Sequence, residues 1–386
     1  MRHTRIFSWS VFAFAIVSHL AYGVSVVKPV AVPSAEGTIV GAAFSPDSRR
    51  LAVARYVAEP PQRRRHTLQI VDLKSGRVVV CGDVLGEAFS DLTSGPYFVR
   101  YSPDGEYLLL AKEGSDVLRV VDAATLQVTA RIALHPESES RNSPSGQRHL
   151  YFQGVASLAV ASRAEIFGAL THDEIGRRNE LFVGSFRSGG GRIINHWGLT
   201  QGRVLPLAGL SLNDDGSRVV TSMVPNQNRF PGDFDNLRLY ESDSGKLVES
   251  IHTDGLVDQI VLLPDESVLA SRADAPSIFS KKACIEKWNF GSGKLTGQFC
   301  DQGRNVVFDL GVSLASARIV GCAYHLRKDL EGHVNIISGR VDVWDMNSGD
   351  LVARSEEMPR RLLGDIQISA DGSWVMVGQT LLQLLE

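Results

Sequence analysis

The side chains able to do chemistry are scattered through this chain of 386 residues, and few stand at a spacing that a reaction requires. Arg63, Arg64, Arg65 and His66 form a basic run suited to a carboxylate or a phosphate, with a solvated loop tip as the competing reading. His172, Asp173 and Glu174 carry metal-ligating atoms, but their spacing is not that of HExxH, and a solvated turn is preferred. Asn226, Asp233 and Asp235 offer oxygens for Ca²⁺ without the dense alternation of a dedicated loop, so a polar turn is preferred there too. Arg229 and Phe230 precede Pro231 on one segment, where the ring either anchors a partner or pins its own loop. His325 and Arg327 add a further polar pair on the segment 324–339.

Enzyme signatures are missing from the chain: it has no GxSxG elbow, phosphate-binding Gly-rich loop, CxxCH haem attachment or paired-Cys zinc spacing. No catalytic residue, metal ligand or cofactor is therefore assigned. The four cysteines do suggest one covalent link. Cys284 and Cys300 flank IEKWNFGSGKLTGQF, whose Gly291-Ser292-Gly293 turn lies midway between them, so in a hairpin they face each other. A cross-strand disulfide and a pair of buried thiols both fit that placement. Cys81 and Cys322 fall in different repeats and are expected to stay unpaired.

Charge names no partner. With 40 basic and 43 acidic residues the net charge is -3, which supplies no field for nucleic acid or an anionic membrane. The N-terminus is distinctive: Arg2, His3 and Arg5 precede the apolar run Ile6 to Ala21, which ends in Ala21-Tyr22-Gly23. Residues 1–23 read as a cleaved signal peptide, because the run is interrupted by Ser and His and is shorter than the roughly 20 residues a membrane span needs. Residues 24–386 are then a single domain with no membrane span, periplasmic or secreted, in an oxidising compartment that permits disulfides.

Elements able to position these residues come from an internal repeat. AAFSPDSRRLAVA, VRYSPDGEYLLLA, LSLNDDGSRVVTS, IVLLPDESVLASR and IQISADGSWVMVG share a strand, a tight turn and a second strand. LAVASRAEIFGAL and GVSLASARIVGCA are weakened copies without the acidic turn. A second half-motif, as in LQIVDLKSGRVVV and VDVWDMNSGDLVA, is a further hairpin turning at Ser-Gly. The turns recur about every 54 residues over seven copies, so two hairpins per unit predict an all-β, seven-bladed propeller of four-stranded antiparallel blades. Only three strands fit after Arg361; residues 25–32 supply the fourth and close the ring, with Pro29 acceptable on an outer edge.

The SPDG-type turns, the strand endings VVD, LYE and VWD and the SGK-like turns resemble the WD-repeat-like propellers of bacterial exported proteins, over nearly all of 24–386. Only Trp344-Asp345 is a literal Trp-Asp pair, and the period exceeds the 40–45 or so of the eukaryotic pattern. The resemblance carries fold rather than function. Loop lengths carry more: turns within hairpins are short, whereas 55–66, 81–97, 135–154, 171–179, 224–236, 272–283 and 324–339 are long and lie on the opposite face. That face is expected to bind, neutral insertion being the alternative. The chain is accordingly read as an exported, monomeric, non-enzymatic protein-protein interaction or ligand-binding module whose partner is an envelope or secreted protein. A propeller hydrolase such as a lactonase, with an axial metal, is the alternative.

Overall fold

The computed structural model describes residues 25–30, 37–59, 63–82, 97–112, 115–134, 153–173, 178–198, 207–223, 236–253, 255–274, 282–302, 306–328, 334–359 and 365–384. Every regular element among them is a β-strand. The first strand, β1 (Ser25–Val30), belongs to the last blade. Blade 1 is β2 (Thr38–Phe44), β3 (Arg50–Glu59), β4 (Arg63–Asp72) and β5 (Arg77–Gly82). Blade 2 is β6 (Tyr97–Tyr101), β7 (Tyr107–Lys112), β8 (Val117–Asp122) and β9 (Val128–Ala133), and blade 3 is β10 (Gln153–Val160), β11 (Ile166–Asp173), β12 (Arg178–Ser185) and β13 (Gly190–Gly198). Blade 4 comprises β14 (Leu207–Leu212), β15 (Arg218–Met223), β16 (Leu237–Glu241) and β17 (Leu247–Ile251). Blade 5 comprises β18 (Gly255–Leu262), β19 (Ser267–Asp274), β20 (Lys282–Asn289) and β21 (Lys294–Gln302). Blade 6 runs through β22 (Val306–Ser313), β23 (Arg318–Lys328), β24 (Val334–Asp345) and β25 (Leu351–Ser355), followed by the short β26 (Met358–Pro359). Blade 7 is β27 (Ile366–Ile368), β28 (Trp374–Val377) and β29 (Thr380–Leu384), completed on its outer side by β1. The protein is a seven-bladed β-propeller of four-stranded antiparallel blades.

The tight turn at the inner end of each blade explains why these sequences form hairpins. Ser45 Oγ donates to Asp47 Oδ1 at 2.5 Å and accepts the Arg50 N–H at 2.9 Å, while Asp47 also accepts the Arg49 N–H at 3.1 Å. The same set recurs at Ser102, Asp104 and Tyr107 and at Ser369, Asp371 and Trp374. Asn213 substitutes for the serine in blade 4, where its Oδ1 accepts the Arg218 N–H. Six of the seven turns carry one left-handed residue, Gly105, Gly216 and Gly372 in blades 2, 4 and 7 but Ser48, Glu266 and Ala317 in blades 1, 5 and 6. Blade 3 has no turn aspartate of its own; Ser162 donates instead to Asp214 of blade 4.

Packing follows from the ring. Both faces of a blade are covered by neighbours, so the middle strands are continuously buried, as Leu108 to Ala111 are in β7, whereas outer strands such as β5 and β17 are largely exposed. Seven apolar clusters fill the seven interfaces between blades. Ala52 and Leu68 meet Leu108 and Val121 between blades 1 and 2, and Leu51 and Val53 meet Met376 and Leu381 between blades 1 and 7. A buried leucine contributes about 1.5–3 kcal/mol, so these interfaces, rather than the turns, hold the ring together. Cys284 and Cys300 stand directly opposite each other on β20 and β21 and form a disulfide, with their Cα atoms 4.2 Å apart; Cys81 and Cys322 are free thiols.

Ring closure uses residues 25–30. β1 runs antiparallel to β29, pairing Val27 with Leu384 and Pro29 with Leu382. Its start also pairs in parallel with β25, so blades 6 and 7 share one nine-stranded sheet, a continuity that the repeat pattern does not reveal.

Ala317 holds a φ of 50° without a glycine's freedom. An Ala317→Gly variant removes that steric cost, offset by glycine's greater entropy loss, and is expected to gain about 0.5–1 kcal/mol in urea unfolding; no gain, or a loss, contradicts the turn geometry. The turn carboxylates also set a pH dependence. The Ser45 hydroxyl leads in holding Asp47 below the usual carboxylate range. Burial pushes Asp104 and Asp371 up, but bonds from Ser102 and Arg187, and from Ser369 and Ser373, outweigh it and leave both lowered. A carboxyl with a depressed folded pKa contributes stability that is fully present above its unfolded value of about 3.9 and is lost as pH falls through the folded value. The urea midpoint should therefore drop from pH 5 to pH 2.5, and a variant carrying Asp47→Asn, Asp104→Asn and Asp371→Asn should show a shallower drop; an equal slope would disprove the assignment.

Candidate functional site

The two faces of the ring differ in how their polar groups are used. On the face carrying the tight turns, those groups bond from blade to blade. The Asp371 N–H donates to Ser48 Oγ at 2.9 Å, and Arg318 Nη1 donates to the Gly372 carbonyl at 2.9 Å. Arg187, from the outer hairpin of blade 3, bridges Asp104 at 2.7 Å and Glu165 at 2.8 Å and lies over the Tyr107 ring. These exposed pairs are individually weak, but together they leave this face committed to its own neighbours.

The opposite face is built differently from the loops that the sequence suggests. Segments 55–66, 171–179 and 324–339 are largely strand, because the middle hairpins of blades 1, 3 and 6 continue past the body of the sheet. In blade 1 the pairing runs out through Tyr56 with His66, Val57 with Arg65 and Ala58 with Arg64 to Glu59 with Arg63. In blade 6 it runs through His325 with Ser338 and Arg327 with Asn335 to Lys328 with Val334. Blade 3 reaches Asp173 with Arg178. The prolines and charges in these stretches imitate a loop, but the alternation of the flanking residues continues the ladder until the tip.

Blade 7 has no such extension. Val377 pairs with Thr380 across the two-residue turn Gly378-Gln379, and the Gln379 side chain is fixed to Ile39, accepting its N–H at 2.8 Å and donating to its carbonyl at 2.6 Å. Aligned on the turn bonds of the inner strands, β3 and β23 overreach this turn by six or seven residues, roughly 20 Å at 3.3 Å per residue. Because blade 7 sits between blades 6 and 1 in the ring, the two extended hairpins stand as walls on either side of a blade that lacks one.

Both walls are anchored at their base. Tyr56 packs on His66 with ring centroids 5.2 Å apart, and the backbone of Gly37 passes so close that a Cβ there would meet Val57 at 2.8 Å and clash with the Tyr56 carbonyl. On blade 6, Ser338 bonds to Glu357, and β26 pairs with Ser338 and Gly339, strapping the link to blade 7 along the hairpin. Beneath them Arg354 makes a two-pronged bond to the fully buried Asp342, at 2.6 and 3.1 Å.

The residues singled out in the sequence divide accordingly. Arg63, Arg64 and Arg65 lie on the blade 1 hairpin, His172 and Asp173 on that of blade 3, and His325 and Arg327 on that of blade 6, the last two exposed. His66 is a correction: at 5 % exposure it is a packing residue beneath the hairpin, since its place in the ladder opposite Tyr56 turns it inward. Arg229 and Phe230, with Asn226, Asp233 and Asp235, fall outside the described residues. Ile337, at the bulge opposite His325 and Leu326, exposes an apolar side chain that the sequence does not mark out. Among the described residues no group of three His, Cys, Asp or Glu side chains comes together to hold a metal.

No family model matches the chain, and no curated protein matches it by sequence. Solved structures do. A structure of U3-55K superposes with a TM-score of 0.59 at 12% identity, covering 93% of this chain and 98% of that one. The β-propeller domain of Cps50 (Swd1) from Myceliophteria thermophila gives 0.59 at 11% identity over 93% and 100%. The WD40 repeats of RRP9 give 0.61 at 12% identity over 94% and 99%. At such identities the likeness is one of fold, and it makes this chain a WD40-like seven-bladed β-propeller.

Proposed function

We propose that the protein is an exported, non-enzymatic interaction module, and that its partner, another envelope or secreted protein, docks on the hairpin face across blades 6, 7 and 1. The observation that carries this reading is the asymmetry of the faces. Polar groups on the turn face bond to neighbouring blades, whereas blades 1 and 6 project hairpins, anchored at their base, well past the short turn of blade 7. A surface that projects extended strands beside an exposed Ile337 suits a protein partner. Arg63, Arg64 and Arg65 on β4 and Arg327 on β23 make the sequence of both hairpins basic, which favours an acidic partner. WD40-like propellers are a fold well suited to such scaffolding. Export is supported by the signal-like residues 1–23, which lie outside the described residues, and by the Cys284–Cys300 disulfide.

The test trims the walls without touching the ring. Residues 57–65 are replaced by Asn-Gly in one variant and 326–337 by Asn-Gly in another, each closing the hairpin by a two-residue turn. A photo-crosslinker at position 327 in the native organism should capture a protein that one at Ser188, on the turn face, does not. Either trimmed variant should bind that protein at least tenfold more weakly, about 1.4 kcal/mol, with an unchanged melting temperature. Equal capture from both faces, or unchanged affinity after trimming both walls, would refute the docking surface.

A further inference from the structure

A cavity of about 510 Å³ lies on the axis of the ring, lined by the inner strands of blades 2 to 7. Aligned on the backbone bond that closes each inner turn, Arg100 of blade 2 stands level with Ala159, Ser211, Val261, Gly311 and Gln367. Small or neutral side chains at that level leave space for a guanidinium, and Arg100 is the one cation of the lining among the described residues. Its Nη1 donates to the Val99 carbonyl at 2.8 Å, and its remaining N–H groups meet no acceptor among the described residues. Burial lowers its pKa while the charge of Asp365, two blades away on the lining, raises it, yet the two make no contact ion pair.

The carboxylates of the lining differ in their engagement. Asp309 is held in the wall, accepting bonds from the Tyr324 hydroxyl and from Gln259 Nε2, whose own Oε1 accepts the Leu310 N–H. Asp365 is exposed. The cavity therefore presents one guanidinium with unused donors and one carboxylate that does not neutralise it by contact. A half-buried guanidinium facing a cavity is costly without a counter-ion, and its planar fork matches a carboxylate with two parallel bonds.

From this juxtaposition we infer that the axial cavity binds a small zwitterion, an α-amino acid or short peptide, with its carboxylate on Arg100 and its ammonium toward Asp365. A phosphate dianion would add two negative charges to a lining that already carries Asp309 and Asp365, and a simple amine would leave Arg100 without a counter-ion. A zwitterion satisfies both ends at once. The cavity lies within the range of roughly 300–1,000 Å³ usual for small-molecule sites.

Titration calorimetry on the full chain tests the site directly, with the twenty free α-amino acids and their glycyl dipeptides as probes beside acetate, inorganic phosphate and ethanolamine. At least one zwitterion should bind saturably and at least tenfold more tightly than acetate, phosphate or ethanolamine. Arg100→Gln should abolish that binding, Arg100→Lys should weaken it by losing the fork, and Asp365→Asn should weaken it while sparing acetate. Far-UV spectra confirm that each variant is folded, and Asp365→Asn carries the test alone should both Arg100 variants unfold. Saturation by no zwitterion, tighter binding of phosphate, or affinity unchanged in the folded Arg100 or Asp365 variants would overturn the inference.

Discussion

The pairing of β1 with β29 is the constraint on which the rest of the molecule rests. Without it blade 7 has three strands and an open edge at Leu381–Leu384, and the ring is a chain of blades with two free ends. The pairing brings the two ends of the described chain together, and side-chain bonds reinforce the join. Gln379 reaches Ile39 across 340 residues of sequence, Gln367 donates to the Ala42 carbonyl at 2.6 Å, and the Asp371 N–H bonds to Ser48. Apolar packing of Met376 and Leu381 against Leu51 and Val53 gives the seventh interface the same character as the other six.

Closure also explains how the faces came to differ. A ring held by seven apolar interfaces tolerates extension of any hairpin that points away from those interfaces, and the middle hairpins of blades 1, 3 and 6 do so. Blade 7 cannot extend, because the Gly378-Gln379 turn is itself part of the closing contact. The contrast between the short hairpin of blade 7 and the long ones of blades 6 and 1 is thus a consequence of where the ring is sealed. The axial cavity follows from the same geometry, since the inner strands approach the axis without filling it and their level positions are mostly small.

The fold was legible in the sequence because its signals are local. Ser45, Asp47 and Arg50 lie within one turn, and their hydrogen bonds repeat at Ser102 and Ser369 in the same order, so a single copy predicts the others. Blade 6, whose Ser313 and Ser316 bond to each other without an aspartate, was recognisable from its hydrophobic alternation alone. The extent of the outer hairpins was not legible. Pro60, Pro61 and the arginines after them read as a loop, whereas the ladder runs to Glu59 on one side and resumes at Arg63 on the other. His66 reads as a loop residue for the same reason, because its burial follows only from the strand folding back to pair it with Tyr56. Arg100 stands inside a repeat copy, VRYSPDG, and reads as an ordinary strand residue. Comparing its column across copies would have marked it as a cation where the others carry Ala, Ser, Val, Gly or Gln.

Hydrogen exchange at the closing strand tests the account most directly. The Leu384 N–H bonds inward to Ser373, so by strand alternation the amides of Leu381 and Gln383 face β1. In the intact protein these two should exchange as slowly as the core amides of β7 and β28. In a chain lacking residues 1–30 they should exchange at least a hundredfold faster, by global opening if the ring collapses or locally if it survives. Protection of Leu381 and Gln383 that is unchanged by the deletion would mean that β1 does not close the ring.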